Sequence, residues 1–99
     1  MMSGIKADLY LPKESLDVII DKQEEVKKYF DSYFSLEYDI YLAEYNNEEV
    51  CAINLYILNN TKSMVENDYK SLKTYFKQVT GKTPKQILKI NFDKIKRGI

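Results

Sequence analysis

Apolar and polar residues alternate one for one along Ile5-Lys6-Ala7-Asp8-Leu9-Tyr10-Leu11, the period of a strand with Ile5, Ala7, Leu9 and Leu11 on one side. Pro12 ends that run. The spacing then lengthens to threes and fours through Leu16, Ile19, Ile20, Val26, Phe30 and Tyr33, which predicts a helix to about Phe34. Ser15 has the residue type of its N-cap, and Asp17 suits the dipole of its first turn. Strict alternation returns over residues 37–45. Asn46-Asn47 tolerates the left-handed backbone of a tight turn, so residues 49–58 are expected to run back antiparallel. Asn59, Asn60 or Thr61 can cap a second helix over residues 62–80, with Val65, Tyr69, Leu72, Phe76 and Val79 as its stripe. Gly81 suits a left-handed C-terminal cap, and Pro84 bars continuation. In Ile87-Leu88-Lys89-Ile90-Asn91-Phe92 a strand with Leu88, Ile90 and Phe92 inward competes with a third helix over residues 85–96; the Ile and Phe content favours the strand.

The expected order is βαββαβ, an α+β sandwich of ferredoxin-like kind. Right-handed crossovers put both helices on one face of a four-stranded antiparallel sheet, with the first and third strands central. A displacement of 46 residues supports this duplication: Leu9-Tyr10-Leu11 falls on Leu55-Tyr56-Ile57, and Tyr29-Phe30 on Tyr75-Phe76. Ninety-nine residues with no linker or low-complexity tract make one domain, residues 1–99.

Composition narrows the chemistry. With 44% hydrophobic and 30% charged residues the chain has the make-up of a globular protein. It has no apolar run near the roughly 18–20 residues of a membrane span, and its first residues lack the apolar core of a signal peptide, so an intracellular, cytoplasmic location is expected. Cys51 has no internal disulfide partner, and there is no His. The usual neutral-pH acid/base and the commonest transition-metal ligand are therefore missing. Glu24-Glu25 and Glu48-Glu49 are sequential and diverge. Neither an enzyme nor a cofactor or metal site is expected.

On the face away from the helices the alternation places Tyr10, Tyr41, Tyr45, Tyr56, Asn54, Lys89 and Asn91. Tyr10 and Tyr56 fall on adjacent central strands, which resembles the RNA-recognition motif. The match lies in Leu9-Tyr10-Leu11, the short first-strand element; the basic-glycine pair and alternate aromatics of its third strand are absent from residues 50–57. The resemblance implies base stacking on Tyr10. Net charge is zero but divided: residues 1–60 hold 5 Lys against 12 acids, residues 61–99 hold 9 Lys and Arg97 against 3. Lys62, Lys70, Lys73, Lys77, Lys94, Lys96 and Arg97 are candidate phosphate contacts. They are alternatively partners for Asp17, Asp21, Glu24 and Glu25 on the first helix.

Tyrosine also suits protein interfaces, because its ring is apolar and its hydroxyl stays hydrated. Four such rings burying about 100 Å2 each give on the order of 10 kcal/mol gross, against about 4–15 kcal/mol for association. The expectations for this face are a homodimer first, then a foreign protein, then single-stranded nucleic acid, then plain solvent. Residues 76–84, Phe-Lys-Gln-Val-Thr-Gly-Lys-Thr-Pro, resemble the close of the second helix-turn-helix in arabinose-operon-type activators; those regions are helical, whereas residues 36–58 read as a β-hairpin, so the segment is taken as ordinary helix-stop chemistry. In length and in its Lys, Ile, Tyr and Asn content the chain is similar to small orphan proteins of phages and of filamentous or rod-shaped archaeal viruses. That likeness implies a host-directed protein that acts by binding, with no residue transferred.

Overall fold

The structure, a computed structural model, describes residues 3–32 and 36–92, the side chains of Leu36 and Phe92 excepted. The elements are β1 (Ser3–Pro12), α1 (Ser15–Asp21), α2 (Gln23–Asp31), β2 (Leu36–Tyr45), β3 (Glu48–Asn59), α3 (Lys62–Thr80) and β4 (Lys85–Phe92). The fold is α+β: an open, wholly antiparallel four-stranded sheet in the order β2-β3-β1-β4, with three helices. The helices cover one face. Ile5, Ala7, Leu9, Leu11, Cys51, Ile53, Leu55 and Ile57 form the sheet's half of the core, against Ile19, Val26, Phe30, Val65, Tyr69, Leu72 and Phe76.

Local chemistry accounts for most of the boundaries. Asn46 and Asn47 both take positive φ, 51° and 64°, so a two-residue loop returns β2 into β3 with Tyr45 opposite Glu48. Thr61 caps α3: its Oγ1 accepts from Met64 N at 3.1 Å. Gly81 closes α3 at φ 74°, where any side chain would strain the backbone. The last segment is a strand over Lys85–Phe92.

Four expectations need correction. The first helix is broken at Lys22 (φ −109°, ψ 21°), whose N–H is shared between the carbonyls of Val18 and Ile19. Residues 21–25 are all exposed, and Gln23 stands where the stripe needs an apolar anchor, so no side chain pins that turn to the core. Ser15 lies buried inside α1 rather than capping it; Glu14 is the N-cap, without a side-chain bond. Ile20 is 51% exposed, since it sits about 100° round the helix from buried Ile19. Tyr33 and Phe34 lie outside the described residues.

The fourth correction concerns β4. Gln86 faces Leu9, but Leu88 faces Asp8, because a bulge at Asp8/Leu9 leaves Ile87 as an extra residue. One extra residue turns every later side chain to the other face. Leu88 and Ile90 therefore lie on the open face, 48% and 40% exposed, and Lys89 and Asn91 lie on the helix side. The side chain of Phe92 is outside the described set.

Candidate functional site

The register fixes which side chains share the open face. From β2 come Glu37, Asp39, Tyr41, Ala43 and Tyr45; from β3, Tyr56, Asn54, Ala52, Val50 and Glu48; from β1, Lys6, Asp8 and Tyr10; from β4, Ile90, Leu88 and Lys85. Tyr10, Tyr41, Tyr45, Tyr56 and Asn54 thus stand where the alternation placed them. Lys89 does not.

The tyrosines are organised as a cluster. Tyr10 and Tyr45 pack at 5.1 Å between centroids, tilted by 37°. Ala52 and Val50 lie on the same face in β3 and are nonetheless buried, because small side chains sit low among large rings. Asn54 Nδ2 donates to Tyr41 Oη at 3.0 Å, which fixes that ring's tip. Tyr10, Tyr45 and Tyr56 are half-buried, and Tyr41 is 40% exposed. Lys85 holds its ammonium 5.7 Å from the Tyr10 ring centroid. A hydrogen bond with Tyr10, aided by the proximity of Tyr10 and Tyr45, pushes its pKa above the ordinary lysine value. Beside this cluster, Pro12, Lys13, Glu14, Asn47, Glu48, Glu49 and Thr83 complete an open groove of about 700 Å3.

On the helix side a second polar cluster forms around Tyr69, which is buried among α3 and β4. Its hydroxyl donates to Gln86 Oε1 at 2.8 Å. Lys89 Nζ contacts both oxygens of Glu66 at 3.0 Å and lies 4.9 Å from the Tyr69 ring centroid; Lys73 Nζ lies 5.1 Å from the same centroid. Burial, then the Glu66 carboxylate, push the Tyr69 phenol up to about 12. Burial likewise pushes the Cys51 thiol up to about 11, so it stays protonated at neutral pH.

The candidate phosphate contacts divide in two. Lys62, Lys70, Lys73 and Lys77 belong to α3, so the sheet separates them from the tyrosine cluster. Lys94, Lys96 and Arg97 lie outside the described residues. The acids of the first helical segment do not pair with Lys70, Lys73 or Lys77 among the described residues. Rings join α2 to α3 instead: Tyr29 and Tyr75 stack at 3.7 Å and 3°, and Phe30 meets Phe76 at 5.6 Å. The nearby Glu25 carboxylate adds to burial in raising the Tyr75 pKa.

Sequence reasoning missed Leu88 and Ile90 as members of the open face, and Glu66, Gln86 and Lys89 as a cluster. An apolar run gives no sign of the residue at which a bulge reverses its faces. Lys6 and Lys85 against Asp8, Glu37, Asp39 and Glu48 leave the open face with more carboxylates than cations. Among the described residues no helix is long and apolar enough to cross a membrane. No protein family, curated protein or solved structure matches this chain.

Proposed function

We propose that this chain is a non-enzymatic interaction protein of ferredoxin-like fold that binds protein, first of all a second copy of itself, through the open face of its sheet. The fold reading is supported by treating α1 and α2 as one helix broken at Lys22, which reduces the element order to βαββαβ with β1 and β3 central. The function reading rests on one observation: the open face that carries Tyr10, Tyr41 and Tyr45 also presents Leu88 and Ile90, about half-exposed, beside Asp8 and Lys6 of β1. Each of these aliphatics adds roughly 1 kcal/mol when covered, and the tyrosines keep hydroxyls that tolerate water at the rim. The rings alone give less than four free tyrosines would, since three are already half-covered.

Single-stranded nucleic acid is the weaker reading. Stacking on these rings needs cations on the same face, yet carboxylates outnumber lysines there and the basic flank of α3 is behind the sheet. The test is mass in solution by light scattering across a concentration series. A dimer is expected, with Tyr56→Asp and Leu88→Asp each weakening it at least tenfold while circular dichroism stays unchanged. A wild-type monomer, or a dimer indifferent to both variants, would overturn the reading. Anisotropy with a labelled single-stranded oligonucleotide at low salt separates the alternative: tight, steeply salt-dependent binding would favour it.

A further inference from the structure

The two outer strands of the sheet are built differently. β4 carries Lys85 and Lys89 and is bulged against β1. Lysines and bulges are the usual devices that keep a sheet edge from pairing with other chains. β2 has neither: ten residues pair with β3 in one unbroken register, with no Lys and no Pro. Among the described residues its other side meets no strand. On the helix side of this bare edge, Tyr38 and Leu42 are 40% and 50% exposed, and Ile20 of α1 is 51% exposed above them. Leu16, Ile19, Val26 and Ile40 continue the same apolar groove. Among the described residues, exposed apolar side chains thus gather along an edge without strand, Lys, Pro or bulge, whose charges are Glu37, Asp39 and Glu44.

We infer that β2 pairs antiparallel with β2 of a second copy about a two-fold axis at Ile40, giving a continuous eight-stranded sheet with all helices on one side. The sequence of β2 fits itself in that register. Opposed residues of an antiparallel pair share a face. Pairing about Ile40 sets Tyr38 against Leu42 of the second copy, Asp39 against Tyr41 and Glu37 against Ala43, so no acid opposes an acid. Centring on Asp39 would oppose that carboxylate to itself; centring on Tyr41 also keeps acids apart, but it replaces Leu42 by Glu44 opposite Tyr38 on the apolar side. A two-fold contact of this kind is closed, which suits a discrete assembly rather than a fibre. The surface is separate from the tyrosine face, and the inference holds whether or not that face dimerises.

Cysteine pairing across the axis tests the register. Cα atoms of opposed residues stand about 4.5–5.5 Å apart, within reach of a disulfide, whereas the two copies of position 38 stand about 14 Å apart along the strands. A mixture of Tyr38→Cys and Leu42→Cys proteins should form disulfide-linked dimers under mild oxidation, and neither protein alone should; native Cys51 is buried. Both substitutions are at exposed positions, and circular dichroism checks the fold. In parallel, Leu42→Lys should halve the mass of the wild-type assembly whatever Tyr56→Asp does. If the mixture cross-links no better than its components, or Leu42→Lys leaves the mass unchanged, the edge pairing is wrong. An assembly removed by Tyr56→Asp but indifferent to Leu42→Lys keeps the face and removes the edge. A monomer whose β2 amides gain exchange protection only with an added lysine-rich alternating peptide gives the edge to a foreign strand, and also overturns the inference.

Discussion

Tyr69 concentrates several forces on one phenol. Its ring is 2% exposed, its hydroxyl donates to Gln86, and Lys73 and Lys89 approach its ring. With a folded pKa near 12 against an ordinary value of 10, the native state keeps a proton that the unfolded chain releases. Stability from this group is complete below pH 10 and is lost as pH rises from about 10 to 12. Tyr69→Phe should therefore flatten the alkaline fall of stability in that window, measured by urea unfolding at stepped pH. At neutral pH it should cost about 0.5–1.5 kcal/mol, because Gln86 loses its donor. If the alkaline limb is identical in the variant, another group sets it. Lys89 teaches the same lesson about residues: its letter reads as a solvated or phosphate-binding cation, yet it is tied to Glu66 on the covered face.

At the scale of elements, α3 and the β2–β3 hairpin follow from their own letters. Thr61 and Gly81 bracket α3, and each acts within one turn of chain, so no distant contact is needed to place them. Thr61→Ala should cost about 1 kcal/mol through loss of the bond to Met64 N. Gly81→Ala should cost about 1–2 kcal/mol from positive φ alone, since space for a Cβ is open there. Thermal unfolding of both variants checks the pair; a Gly81→Ala protein as stable as wild type would mean that the cap relaxes. The first helical segment was less legible, because periodicity reports which face is apolar and not whether each turn is anchored. β4 was read correctly as a strand and wrongly in its facing, since the bulge depends on how β1 and β4 meet.

At the scale of the whole molecule, among the described residues Lys70, Lys73 and Lys77 of α3 make no ion pair with the acids of the first helical segment. Exposed lysine–carboxylate pairs are worth about 0–1 kcal/mol, whereas stacked rings add about 0.5–1.5 kcal/mol beyond their buried area, so Tyr29 on Tyr75 joins α2 to α3. Neutralising Lys70 and Lys77 to Gln should move stability by less than about 0.5 kcal/mol, while Tyr75→Ala should cost about 2–3 kcal/mol. Denaturant midpoints at equal slope check this, and the reverse ranking would restore the charges as the organising force. The sheet also separates the two halves of a nucleic-acid site that the letters alone would join. Rings project from one face, and the lysines of α3 ride on the other.

Sequence by itself determined the α+β class, the strand-and-helix periods, the hairpin at Asn46-Asn47 and the caps of α3, because each is set by residues within a few positions of one another. It also placed Tyr10, Tyr41, Tyr45 and Tyr56 on one face, through simple alternation along three unbulged stretches of strand. Only the tertiary structure decided that Leu88 and Ile90 join that face while Lys89 leaves it, that the first helix breaks at Lys22, and that β2 is the bare edge. Those outcomes depend on which strand lies beside which and in what register, and contacts between residues far apart in the chain carry that information.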